Sequence, residues 1–197
     1  MRARNSEQGF VLVTSLVFLV VITLLAVSAI NSSTIQERMA SNQREKSRAV
    51  QAADAALRQG ERIFKDSRFD VQNPPGQTIE LNDAATKQDI GTASVKLWLK
   101  GDMLADKGDP AAFLDPSIWT NAQTLSYDVD ADNSAMNDAG LNATRYFVED
   151  YTCLRNVLSA EAGAYCNGSI IYRITARATG QNPAAIAVTQ SLYEKRY

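Results

Sequence analysis

Charge is absent between Glu7 and Glu37, and hydrophobic side chains dominate that gap. Phe10 to Ile30 (FVLVTSLVFLVVITLLAVSAI) holds 17 apolar residues out of 21. The remaining four, Thr14, Ser15, Thr23 and Ser28, carry hydroxyls that can bond back to carbonyls of their own helix. A bilayer core of about 30 Å is spanned by about 20 apolar helical residues. The pattern then changes from apolar on all sides to apolar on one side. From Thr34 to Phe64 there is no Pro, and Gly60 is the first Gly after Gly9. Ile35, Met39, Ala49, Ala53, Ala56, Leu57 and Ile63 form a sparse stripe at helical spacing. The pattern predicts one continuous helix from Phe10 to Phe64, on the order of 80 Å long. A cleaved secretory signal has a shorter apolar stretch and a small-x-small cleavage region. Neither fits here, so a retained anchor is expected.

The alternation beyond the helix has a different period. Asp66 to Gly76 breaks the helix, with Pro74-Pro75-Gly76 as the clearest punctuation. Strands are expected over Thr78–Leu81 and over Ala93–Lys100, where Val95, Leu97 and Leu99 alternate with Lys96, Trp98 and Lys100. Gly101 to Gly140 is irregular and long enough to be functional or poorly ordered. Further strands are expected over Arg145–Leu154, Ser169–Thr179 and Ala185–Tyr193. The last two flank the turn Gly180-Gln181-Asn182-Pro183 and should form a hairpin. Ile186, Val188 and Leu192 share one face of its second strand. The hairpin's apolar face needs cover, and the amphipathic half of the helix is the candidate. The expected fold is α+β: a long N-terminal helix packed on a small antiparallel sheet.

Composition removes several chemistries. The chain has 197 residues, a net charge of −2 and no His. The charge gives no reason to expect a nucleic-acid partner. Without His there is no Ser–His or Cys–His catalysis and no His metal site. No enzyme and no cofactor are expected. Cys153 and Cys166 are the only cysteines. In an exported domain they would form a disulfide; the other reading is two buried thiols. Asp128, Asp130 and Asp132 form a weak calcium candidate. The EF-hand loop wants Gly at its sixth position and Glu at its twelfth, where this chain has Asn133 and Ala139, so a solvated turn is the better reading. Trp98, Trp119, Tyr127, Tyr146, Phe147 and Tyr151 read as core and strand packing. The mixed charges from Glu37 to Lys65 read as a solvated helix face, where ion pairs are worth under about 1 kcal/mol each.

A short basic leader, Met1 to Gly9, followed by Phe10 and an uncharged helix, resembles the type IV prepilin pattern. Thr23-Leu24-Leu25-Ala26, Gln36-Glu37-Arg38-Met39-Ala40-Ser41-Asn42 and Ala52-Ala53-Asp54-Ala55-Ala56-Leu57-Arg58-Gln59-Gly60-Glu61 resemble the PilX-type minor pilins most closely. Tyr172 to Gly180 (YRITARATG), then Gln190-Ser191, resemble that family's closing hairpin. The resemblance implies cleavage after Gly9 and methylation of the new N-terminal Phe10. It divides the chain into a leader (1–9), the helix (10–64, with 10–30 in the membrane or the filament core) and a globular periplasmic domain (65–197). Thr14, Leu16, Leu19 and Leu24 fall on the core helix. Implied partners are the prepilin peptidase, the inner-membrane assembly platform, the major pilin, other minor pilins and a tip adhesin. The implied location is the inner membrane, single-pass, and then the pilus at the cell surface. Implied roles are pilus assembly, adhesion and twitching motility.

One departure from that pattern is informative. Major pilins place a Glu five residues into the mature chain, where it pairs with a neighbour's N-terminal amine. Here that place holds Thr14. A buried membrane charge is expensive without a partner, so a subunit with no neighbour ahead of it has no use for the Glu. The helix-kinking Pro of major pilins is replaced by Asn31. Charge counting does not orient the helix towards a cytoplasmic leader: Arg2 and Arg4 precede it, and Arg38, Arg44, Lys46 and Arg48 follow it. Two other readings stay open, a pseudopilin of a type II secretion system and a binding module acting through the 101–140 loop.

Overall fold

The computed structural model describes residues 7–90, 94–103, 110–120, 124–127, 144–155, 166 and 168–197. Helix α1 runs over Glu7–Arg62, so the two expected helical halves are one element. The chain divides into two compact units, one up to Arg44 and the other from Glu45 to Tyr197.

In the first unit every large apolar side chain from Phe10 to Ile30 is exposed, from 46% at Val20 to 73% at Phe10. Such a surface is unfavourable in water at about 25 cal/mol per Å². The helix is long and apolar enough to cross a membrane. Two of its hydroxyls return to their own helix, Ser15 Oγ donating to the Leu12 carbonyl at 2.9 Å and Thr23 Oγ1 to the Val20 carbonyl at 2.8 Å. Ile35 and Met39, expected on the stripe that packs, are exposed instead. They lie in the first unit, and the packed stripe begins at Ala49.

The second unit joins the rest of α1 to a six-stranded sheet. Its strands are β1 (Thr78–Glu80), β2 (Ser94–Leu99), β3 (Leu125–Ser126), β4 (Arg145–Arg155), β5 (Gly168–Thr179) and β6 (Ile186–Arg196). A short helix, α2 (Ala84–Ile90), lies between β1 and β2. The sheet order is β1-β2-β4-β5-β6, with β3 also paired to β4. The fold is α+β and pilin-like, but the sheet is mixed. β2 runs parallel to β4, with Leu97 opposite Val148 and Leu99 opposite Asp150. Parallel neighbours need a long crossover, and the stretch between β2 and β4 supplies it.

Alternation decides which face meets α1. Val95 and Leu97 of β2, Tyr146 and Val148 of β4, and Ile170, Tyr172, Ile174 and Ala176 of β5 join Ala56, Leu57, Ile63 and Phe64 in the main core. A smaller cluster joins Ala49, Ala52 and Ala53 to Ala178 and Ala187. The alanines occur at helical spacing and carry only a methyl each, so helix and sheet backbones approach closely there. Leu99, at the end of its strand, is 43% exposed.

β6 reverses the expected parity. Its helix-facing residues are Ala187, Thr189, Ser191, Tyr193 and Lys195. Val188 packs instead on the opposite face, beside a third cluster of Met103, Phe113, Trp119 and Phe147. Leu192 is 62% exposed. The larger aliphatics were expected to seek the helix, but only a residue as small as Ala187 fits against its alanine face. Strand period forces every second residue to follow.

Candidate assembly helix and its anchorage

The processing residues predicted from the sequence, Gly9 and Phe10, both lie within α1. Thr14 donates to the Phe10 carbonyl at 3.0 Å, and its Oγ1 also lies 3.0 Å from the Val11 carbonyl. The Thr14 hydroxyl is therefore satisfied by its own helix. Leu16, Leu19 and Leu24 are 60%, 63% and 65% exposed. They present packing surface and no reactive group. Asp128, Asp130 and Asp132 lie outside the described residues, as does most of the 101–140 loop. Among the described residues no group of acidic or Cys side chains could hold a metal ion.

The globular unit grips its part of the helix at points that sequence reasoning mostly missed. Gly60 faces the sheet where a Cβ would stand 2.8 Å from Ile174 Cγ2 and 3.1 Å from Tyr146 Cδ2. Gly180, after β5, faces the Glu45 carbonyl, which an added Cβ would meet at 2.8 Å. An isolated Gly inside a helical pattern is a legible signal of close approach; Gly180 read only as a turn. Lys46 donates to the Ile186 carbonyl, and Glu45 accepts from the Asn182 N–H at 3.2 Å.

The end of the helix is tied by one carboxylate. Asp66 is fully buried and accepts from the backbone N–H groups of Arg68 (2.8 Å), Asn82 (3.0 Å) and Asp83 (2.7 Å). It closes the turn after the helix and fixes the chain entering α2. Lys195 near the C-terminus donates to the Phe64 carbonyl at 3.0 Å and pairs with Asp70 at 3.1 Å. Phe64 itself stacks on Tyr193, with centroids 4.5 Å apart.

Cys153 and Cys166 are bonded as a disulfide. Cys153 sits on β4 opposite Ile170, and Cys166 is buried just before β5. The Gln72 side-chain amide both donates to the Cys166 carbonyl and accepts from its N–H. One side chain thus replaces a backbone bridge at that point.

The face away from α1 carries the charged groups. Glu149 is fully buried, paired to Arg173 at 2.7 Å and accepting from the Gly101 N–H at 3.1 Å. Arg173 and Lys100 lie over the Tyr151 ring. Tyr151 is at the β4 bulge between Asp150 and Thr152. Arg177 lies directly opposite Arg145. Burial lowers its guanidinium pKa, and the Asp115 carboxylate opposes that shift. The Asp115 carboxyl is held below its ordinary range by hydrogen bonds from Ser117. Burial pushes the Tyr146 phenol well above its ordinary value of 10.0. Tyr197 is raised for the same reason, partly offset by its 2.7 Å hydroxyl contact with Tyr172. These groups are spent on ion pairing and packing. What the arrangement offers is a sheet clamped to one half of a helix whose other half is apolar on every side.

Two family models match the chain. PilX N-terminal covers residues 8–58, and type IV pilus assembly protein PilX C-term covers residues 66–195. No curated protein and no solved structure matches it.

Proposed function

Because the chain belongs to the PilX family of type IV pilus assembly proteins, a structural family and not an enzymatic one, we propose that this minor pilin sits at or near the filament tip and helps to initiate assembly. The supporting observation is Thr14. Its hydroxyl returns to the Phe10 and Val11 carbonyls, so it asks nothing of a subunit ahead of it. A glutamate there would need a cationic partner within hydrocarbon or within the helix bundle.

In this reading a peptidase cuts between Gly9 and Phe10, and the new amine is methylated. The helix waits in the inner membrane with its globular unit in the periplasm. Assembly then moves Phe10–Ile30 from lipid into a bundle of similar helices. Lipid tails are about as apolar as Leu, so no hydrophobic penalty opposes the transfer, and close packing supplies the attraction. The assembly platform, other minor pilins and the major pilin are the partners of this step, and a tip adhesin would sit beyond it.

The test is mass spectrometry of sheared, purified filaments. The expected species begins at methylated Phe10, in a small copy number relative to the major pilin. Filaments in which the chain is absent, or starts at Met1, would overturn the reading. Thr14→Glu should reduce the frequency of pilus initiation and spread the chain along the shaft. Wild-type initiation with unchanged tip labelling would remove the Thr14 argument.

A further inference from the structure

The pairing of β4 with β5 buries charge twice on the face away from α1, with two different outcomes. At Glu149↔Arg173 the residue directly across the ladder is acidic. Its carboxylate is fully buried and pairs with the guanidinium at 2.7 Å. Four residues along β5, at Arg145↔Arg177, the residue directly across is a second arginine. Like charges directly opposite one another on a sheet repel. On its other side Arg177 meets Val188 of β6, whose side chain accepts no hydrogen bond. Arg177 is only 7% exposed, and its Nε is buried with no hydrogen-bond partner among the described residues. It is packed but not paired.

The groups around it are already committed. Asp115 opposes the guanidinium's charge from a distance. Its carboxylate caps the short helical turn Pro116–Ile118, accepting from the Ser117 N–H at 2.8 Å, and among the described residues no ion pair joins it to Arg177. Arg145 donates to the Thr124 carbonyl at 3.4 Å and to its hydroxyl at 3.3 Å. Two guanidiniums therefore stand against one carboxylate that is held elsewhere. A buried charge left uncompensated is costly. Val188 also borders the apolar cluster of Met103, Phe113, Trp119 and Phe147, and beside such a wall a charge attracts its counter-ion more strongly than in water. The forked donors of a guanidinium match two oxygens side by side. The net charge of −2 hides this, because it sums over the whole chain.

We infer that Arg177 anchors an anion-binding site on this face, taking one oxyanion of the carboxylate, sulfate or phosphate kind. The charge of Arg145 raises the affinity, and the charge of Asp115 lowers it. A free anion and the carboxylate of a neighbouring subunit share this chemistry. The site itself does not depend on the filament reading.

Thermal unfolding of the full chain in detergent tests it, with sodium sulfate, phosphate or acetate compared against sodium chloride at equal ionic strength. At least one oxyanion should raise the midpoint by about 2–5 °C and saturate with concentration. Acetate set against the two tetrahedral anions tells which shape the site prefers. A wild type with no shift beyond chloride overturns the site. Arg177→Lys keeps the charge and loses the fork, so the saturable shift should vanish. A shift of equal size in that variant reports the general effect of excluded salts and overturns the site as well. Should Arg177→Lys fail to fold, Asp115→Asn decides. Asn caps a helix as well as Asp does, and the opposing charge is gone, so half-saturation should come at a several-fold lower concentration. An unchanged or higher value places the anion elsewhere and overturns the assignment. Sheared filaments separate the two sources. If the oxyanion is free, Arg177→Lys enters them at the wild-type level; if it is a neighbour's carboxylate, incorporation falls several-fold.

Discussion

At Gly60 a hydrogen stands where a methyl would collide. Ala is a better helix residue than Gly by about 1 kcal/mol. The methyl would stand 2.8 Å from Ile174 Cγ2, however, and a β-branched side chain on a central strand cannot rotate away cheaply. Gly60→Ala is expected to destabilise the globular unit by about 1–2 kcal/mol net, read from thermal unfolding of the full chain in detergent. Tyr146, the neighbour on the other side, supports a prediction of opposite sign. Its ring is fully buried, and its hydroxyl has no hydrogen-bond partner among the described residues. Tyr146→Phe should leave stability at neutral pH within about 1 kcal/mol, or raise it. The folded-state pKa of Tyr146 is raised above the unfolded value of 10.0. Its contribution is therefore fully present below pH 10 and is lost as pH rises beyond it. Unfolding followed from pH 8 upward should show the variant holding to higher pH than the wild type.

At the scale of elements, the disulfide and the carboxylate of Asp66 hold connections that packing alone leaves loose. The Cys153–Cys166 bond joins β4 to the entry of β5, closing a sequence separation of 13. Its loss in Cys153→Ser/Cys166→Ser should cost about 3 kcal/mol, or roughly 10 °C in the thermal midpoint. Reduction of the wild type should reproduce that shift, and the variant should then ignore reductant. The cysteine pair was legible in the sequence as a bridge suited to export. The role of Gln72 was not, because a side-chain amide standing in for backbone pairing leaves no periodic trace. Asp66 was equally hidden. An acidic residue after a helix reads as solvated, and only the fold shows three backbone N–H groups converging on it. Strand positions were largely legible from alternation, as in β5, where Ile170, Tyr172 and Ile174 all face the helix. The parity of β6 was not, because its larger aliphatics, Ile186, Val188 and Leu192, share the face that turns from the helix, and the choice depended on what lay opposite each.

For the whole molecule, the apolar helix governs where the chain can reside. Phe10–Ile30 buries none of its large side chains within the protein, so lipid or other helices must cover them. Before assembly the chain should remain with membranes after alkaline carbonate extraction and leave them only in detergent. Quantitative immunoblotting of pellet and supernatant checks this, and release of most of the chain into carbonate would contradict the anchor. The sequence by itself determined the apolar run behind this expectation, and with it the single long helix. Both follow from local quantities, the run length of apolar residues and the helical repeat, which need no knowledge of distant partners. The α+β class and the pilin pattern were legible for the same reason. Only the tertiary structure decided that β2 lies parallel to β4 and that alanines and not the larger aliphatics of β6 meet the helix. Each is a choice between contacts far apart in the chain, settled by which side chains fit together at close range.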